Sequence, residues 1–314
     1  MNATTSTVFW TDVAPRDGLQ NVSAPVDTDT KLALIRGLLD AGSSRVEATS
    51  FVSPRWVPQL ADASDVLRAL DAGQMSRVRV LIPNHRGLEL ALEHGVRNVL
   101  YTVAATDSFN RRNVNRSVEE SLLDLETIVA DAHAASCSID VALSVSFGCP
   151  FEGSVPTDSV VQLCRRLVAT GVDEIAPSDT IGVATPGAVV EMCQQLDGVV
   201  PPAQLAFHMH DTRGAGVANV VAAYQSGARR FDGSVGGVGG CPFAPRSTGN
   251  VCSEDALRAL QSLGATFSAD LSALVDVATQ LATALGHDLP GKLYRAGIWT
   301  GAPLVSDAPR AQVG

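Results

Sequence analysis

The six cysteines (Cys137, Cys149, Cys164, Cys193, Cys241 and Cys252) include no C-x-x-C pair. That spacing excludes a zinc knuckle and points to free thiols in a reducing compartment rather than a disulfide frame. The chain has no basic stripe, and a net charge of −10 excludes nucleic acid as the natural partner. No apolar run is long enough to span a bilayer. The opening MNATTSTVFWTD lacks the positive segment and apolar core of a secretory signal, and RAQVG is no peroxisomal address. A cytoplasmic location is therefore expected. No linker or low-complexity stretch divides the chain, so residues 1–314 are expected to form one domain, with a helical region from about 251 to 314.

What is present is apolar residue, 46% of the chain, enough for a large core. It falls in eight short runs: VFWTDV (8–13), RVEAT (45–49), RVRVLI (77–82), NVLYTVA (98–104), IDVALSVS (139–146), VDEIA (172–176), QLAFHMH (204–210) and RFDGSV (230–235). Amphipathic stretches lie between them. TDTKLALIRGLLDAG puts Leu32, Ile35, Leu38 and Leu39 on one helical face and Gly42 at its end. Ser117 and Glu120 form a capping box, and Thr185 followed by Pro186 reads as a helix start. SEDALRALQSLG and SADLSALVDVATQLATALG add helices near the C-terminus. Eight strand–helix alternations in one chain predict parallel pairing and an α/β fold, a (β/α)8 TIM barrel with additional C-terminal helices. An open doubly wound sheet is the alternative.

In such a barrel the chemistry sits in the loops after the strands, and here all eight ends carry polar or glycine-rich residues. They hold, in order, Arg16, Asp17 and Gln20; Glu47 and Ser50; Asn84; ATDSFNRRN; SFGCPFEG; Asp179; His208 and His210; and GGVGGCPFAPRSTGN with Cys241 and Asn250. In an extended strand, residues i and i+2 share a face, so His208 and His210 can grip one ion. The bland alternative is a polar strand end with solvated imidazoles. Caps and turns would account for one or two polar ends, not for all eight. With a hard oxygen such as Asp17, and Asn250 as a further candidate, the donors suit Mg²⁺ or Mn²⁺ better than a thiolate zinc site. A 2-hydroxy or 3-hydroxy acid could fill two remaining positions of an octahedral ion, and Arg16 would bring a cation to a developing oxyanion. Gln20, Ser50 and Asn84 are candidate substrate contacts. His85, His94, His133 and His287 lie in helical or loop contexts and read as surface residues.

Four glycines surround Cys241 in GGVGGCP. A phosphate-cradling loop would need a third spaced glycine and an acidic partner, which are missing. A thiol on a mobile rim loop reads better as an acid or base. Cys149 and Cys252 are the competing thiols, while Cys137, Cys164 and Cys193 fall in or near helices and read as core.

PRDGLQN, EATSFVSPRWVPQ, FGCPFEG, SDTIG, HMHDT and SVGGVGGCPFAPRSTGN together resemble the 3-hydroxy-3-methylglutaryl-CoA lyase family of metallolyase barrels, over about residues 8 to 260. The cysteine loop is the most specific element; H-x-H and RDG are shared with synthases and aldolases, which usually read HxHND. The resemblance implies a divalent ion, Mg²⁺ or Mn²⁺, on Asp17, His208, His210 and Asn250. It implies Arg16 at the thioester oxygen, Cys241 as proton donor, and Glu47 and Asp179 in support, with His208 or Asp17 as the base. An acyl-CoA substrate, a homodimer and retro-Claisen cleavage to acetyl-CoA and a keto acid follow as expectations. A Claisen-type synthase, a pyruvate aldolase and an inactive binding barrel are the rivals. Two departures stand near the expected acyl-CoA position: Val22 where the family usually has Glu, and Pro177–Ser178 where it often has Leu–Gly.

Overall fold

The computed structural model describes residues 7–240 and 249–301. Every apolar run predicted as a strand is one: β1 Phe9–Asp12, β2 Arg45–Ser50, β3 Val78–Leu81, β4 Asn98–Ala104, β5 Ser138–Ser144, β6 Glu174–Pro177, β7 Ala206–His208 and β8 Arg230–Gly233. All named pairings are parallel, in the order β6-β5-β4-β3-β2-β1-β8-β7. Parallel bridges Ile175↔Leu205 and Ser178↔His208 join the two ends and close the barrel.

Local chemistry sets the helices as the sequence suggests. The helix Thr28–Asp40 buries Leu32, Ile35, Leu38 and Leu39, and Asp27 caps its start. Ser117 and Glu120 make both bonds of the capping box at Val118–Ala134. Thr185 accepts from the Ala188 amide at the start of Pro186–Leu196. Beyond β8 come Ser253–Ser262, Leu271–Leu285 and the short Leu293–Ala296. The middle one starts later than its apolar pattern, because Asp270 caps the Ser272 and Ala273 amides. Among the described residues, no helix is long and apolar enough to cross a membrane.

The barrel interior is unusual. Such interiors are normally filled by branched apolar side chains. Here Arg45, Glu47, Arg79, Asp140, Glu174 and Asp232 are all buried and paired with one another. Arg45 donates to Asp140 (2.7 Å) and Glu174 (2.6 Å), and Arg230 donates to Glu174 (2.6 Å). Arg79 on β3 reaches Asp232 on β8 at 2.9 Å and Glu174 on β6 at 3.3 Å. Strands that are not neighbours can meet in this way only through the barrel's centre. Register makes it possible: Glu47 pairs with Arg79, Asp140 with Glu174, and Thr11 with both Arg45 and Asp232. A slip of one residue on any strand would turn its charge outward. The intervening Val46, Val80, Val141, Ile175 and Phe231 belong to the main apolar core.

Candidate active site

After β1 the chain makes a π-helical turn, Ala14–Gly18, in which the Gly18 amide donates back to the Val13 carbonyl (3.1 Å). Such wide turns recur at functional sites. This one sets two successive charged residues, Arg16 and Asp17, in the barrel mouth, nearly buried. It is tied down from beneath. Asp12 accepts from the Ala14 amide (3.0 Å) and from Ser253 Oγ (2.6 Å), which in turn accepts from Trp10 Nε1 (3.0 Å).

Asp17 is the centre of the cluster. Its Oδ1 accepts from Arg16 Nη1 (2.8 Å) and Gln20 Nε2 (2.9 Å), and its Oδ2 from Asn250 Nδ2 (2.9 Å). His208 ends β7, and His210 bridges to Asn250 in antiparallel fashion. The two Nε2 atoms lie 3.1 Å apart. Asp17, His208 and His210 each offer a ligand atom within 4.8 Å of the others. The same-face expectation for the two imidazoles is met.

The donor set fits a hard divalent ion. Asn250 spends its Nδ2 on Asp17 and on the Val238 carbonyl (3.2 Å), which leaves its buried Oδ1 without a hydrogen-bond partner among the described residues. A buried, unsatisfied amide oxygen is costly, and coordination to an ion would satisfy it. Burial and the neighbouring His208 push His210 down to about 3, so it is neutral, the form that ligates. Burial also opposes charge on His208, but Asp232 and Asp17 outweigh it and raise that imidazole above its ordinary value. Burial disfavours the Asp17 carboxylate; Arg16 and the two histidines overcome this and hold it below the usual range. His208 Nδ1 lies 3.6 Å from Asp232 Oδ2, where a carboxylate orients a ligating imidazole.

The remaining predicted residues divide. Glu47 accepts from Arg16 Nε through Oε1 and from Arg79 through Oε2, so it fixes the Arg16 side chain. Asp179 accepts from the Val183 (2.8 Å) and Ala184 (3.0 Å) amides, and its own amide donates to the His208 carbonyl (2.9 Å). Burial raises its carboxyl, and those two amides offset part of the rise. Its visible work is to hold the β6 loop against the end of β7. Ser50 accepts from the Val52 amide (2.9 Å), and Asn84 caps the helix His85–Glu93 through Gly87 (3.0 Å). Among the described residues, no hydrogen bond ties either to the cluster. Cys241 lies outside the described residues. The chain on both sides of it passes over Asn250: a Cβ on Gly239 (φ +136°) would sit 2.5 Å from Asn250 Nδ2, and one on Gly249 (φ +108°) 2.5 Å from the Gly239 carbonyl. Neither position admits a side chain.

Sequence reasoning missed Arg79 and Asp232. Their signal was a lone charge inside an apolar strand, as in Val78-Arg79-Val80 and Phe231-Asp232. Glu254 was missed as well. Its two oxygens accept from the Gly236 amide (3.0 and 3.2 Å) at the foot of the glycine loop, and burial pushes its carboxyl up to about 7. A raised carboxyl stabilises the fold fully below its unfolded value, and that contribution is lost as pH rises through about 7. Glu254→Gln is therefore expected to flatten the fall in Tm between about pH 4.5 and 7. Parallel Tm–pH curves for variant and wild type would contradict it.

Beside the glycine loop a cleft of about 570 Å³ is walled by residues 21–27, Gly239, Gly240, 284–285 and 287–290. Val22 lines it, and the cleft meets the site at Gly18 and Gly239. Ser178, the other departure, is buried, and its Oγ donates to the Ala176 carbonyl (2.8 Å).

The HMGL-like family model matches residues 7–281. The chain belongs to the HMGL-like family. The chain is 40% identical to the (R)-citramalyl-CoA lyase of Chloroflexus aurantiacus over 91% of its length and 93% of that protein's. It is also 40% identical to a hydroxymethylglutaryl-CoA lyase of Bacillus subtilis, covering 90% and 94%. A solved HMG-CoA lyase from Acinetobacter baumannii, in complex with coenzyme A and 3-methylmalate, superposes with a TM-score of 0.91 at 35% identity, over 98% of this chain and all of that one. The family therefore extends over almost every residue that builds the barrel mouth.

Proposed function

We propose that the protein is a carbon–carbon lyase that cleaves 3-hydroxy-3-methylglutaryl-CoA, or a closely related hydroxyacyl-CoA, to acetyl-CoA and a keto acid. The observation that carries this reading is the convergence of Asp17, His208, His210 and the free Asn250 oxygen beside Arg16. Asp17, His208, His210 and Asn250 would hold a divalent ion, Mg²⁺ or Mn²⁺. Such an ion supplies Lewis acidity at the substrate's hydroxyl and carboxylate oxygens.

The chain's own residues account for the rest. The hydroxyl proton passes to a base of the cluster, His208 or Asp17, the latter's oxygens also accepting from Arg16, Gln20 and Asn250. With Nδ1 facing Asp232, His208 has only the Nε2 lone pair to offer, which serves the ion or the proton but not both at once. The hydroxyl carbon becomes the keto group as the C–C bond breaks, and the bonding pair passes into the thioester enolate. Arg16 stabilises the enolate oxygen, and Cys241 protonates its carbon to give acetyl-CoA. The cleft past Gly239 offers a path for the long arm of the thioester. Both relatives named above as lyases act on CoA thioesters by their names, which supports the same class here.

A panel of hydroxyacyl-CoA thioesters, including the methylglutaryl and citramalyl compounds, assayed with Mg²⁺ and Mn²⁺ for acetyl-CoA release, tests the proposal. Condensation of acetyl-CoA with a keto acid and no cleavage would favour the synthase reading. No Mn²⁺ binding at millimolar concentration would favour the inactive barrel.

His210→Ala should weaken Mn²⁺ binding and be rescued in part by excess metal, since it removes one of four ligands. His208→Ala should be rescued less, because it also strips Asp232 of its imidazole partner. Equal, fully metal-reversible losses in the two variants would leave His208 no role beyond ligation.

A further inference from the structure

Arg79 is fully buried on β3. Its Nε and Nη2 donate to Glu47 Oε2 (3.0 and 2.5 Å), and Nη2 also donates to Asp232 Oδ2 (2.9 Å). Each of those carboxylates has a second partner at the barrel mouth. Glu47 Oε1 accepts from Arg16 Nε, and Asp232 Oδ2 lies 3.6 Å from His208 Nδ1. One guanidinium thus stands one carboxylate away from both Arg16, after β1, and His208, at the end of β7.

The rest of the interior network does not share that position. Arg79 Nη1 reaches Asp140 at 3.5 Å and Glu174 at 3.3 Å, but these two are held more closely by Arg45 and Arg230. Without Arg79 they would keep a cation each. Glu47 would keep Arg16. Asp232 would lose the one guanidinium that bonds to it among the described residues, and its Oδ1 has no partner already. The planar fork matters as well as the charge. An ammonium is a point donor and cannot span two carboxylates in one plane.

We propose that Arg79 is a positioning residue: it locks Glu47 and Asp232 against each other and so fixes Arg16 relative to His208. The inference rests on the roles given to Arg16 and His208 above. Misplacement by about 1 Å can cost about 10²-fold in rate, and loss of an orienting carboxylate behind a ligating imidazole costs about 10–100-fold in metal affinity.

The test uses three variants of the full chain: Arg79→Lys, Arg79→Met and Arg45→Met. Arg45 is the control, as it is buried in the same network and bonds to neither Glu47 nor Asp232. Measured for each are kcat and KM on the best thioester of the panel, Mn²⁺ affinity by electron paramagnetic resonance, and Tm. Arg79→Lys is expected to fold, to lose about tenfold or more in both kcat and Mn²⁺ affinity, and to change KM little. Arg45→Met is expected to lower Tm while kcat and Mn²⁺ affinity stay near wild type. Wild-type kcat and affinity in Arg79→Lys, or the same losses in Arg45→Met, would overturn the proposal in favour of a merely structural network. Should Arg79→Met fail to fold, the other two variants decide. Should the wild type cleave no thioester, the functional reading fails by itself, and the Mn²⁺ measurement still judges Arg79.

Discussion

Arg16→Met is expected to lower kcat about 10²–10³-fold, the usual effect of removing one donor to a developing oxyanion, with a much smaller change in KM. The guanidinium sits where it can act this way because three contacts aim it. Nη1 donates to Asp17, Nε donates to Glu47, and Glu47 is held in turn by Arg79. Its charge matters most when negative charge moves onto the thioester oxygen, so the loss falls on the chemical step. The fold should survive. Removing one member of a buried ion pair is destructive when it strands the other, but Glu47 keeps Arg79 and Asp17 keeps Asn250 and Gln20. Steady-state kinetics with a Tm measurement check this. A variant whose only defect is a raised KM would move Arg16 away from the enolate oxygen and into ground-state binding.

Cys241→Ala is expected to bind Mn²⁺ and thioester like the wild type and to turn over about 10²–10⁴-fold more slowly, the range for losing a positioned acid. Cys241→Ser should be poor too, since a hydroxyl is a far weaker acid than a thiol. Alkylating reagents should inactivate the wild type, and substrate should protect it. The other thiols make that experiment clean. All five described cysteines are buried. Burial pushes Cys137 and Cys193 up to about 11 and Cys164 up to about 12, and burial and Glu254 hold Cys252 well above the ordinary thiol value. Thiols so raised are poor nucleophiles. Cys149 is the remaining competitor, and it is buried and accepts from Thr106 Oγ1 at 3.1 Å. Mass spectrometry of the alkylated protein names the residue. Modification at Cys149, or full activity in the alanine variant, would end the proton-donor role and reopen the synthase and aldolase readings.

Most of the barrel was legible because its rules are local. Apolar runs of five to eight residues became strands, and the cap residues Ser117 and Thr185 work as their types predict. The shared face of His208 and His210 follows from the two-residue period of an extended chain, and the clustering of polar residues at the strand ends marks the mouth. Asn84 and Ser50 were less legible. A polar side chain after a strand looks the same in sequence whether it meets a substrate or a backbone amide, and here the bonds visible for both go to the backbone.

By itself, then, the sequence determined the strand–helix alternation, the mouth of the barrel and the metal-type donor set, because periodicity and residue chemistry act over a few neighbours. Only the tertiary structure decided what stands behind that set. Arg79 and Asp232 are 153 residues apart, and neither neighbourhood hints at the other. They meet because eight parallel strands close with a register that turns Glu47, Arg79, Asp140, Glu174 and Asp232 inward together. The energy of a buried charge depends on which partner arrives from across the barrel, and closure and register set that partner.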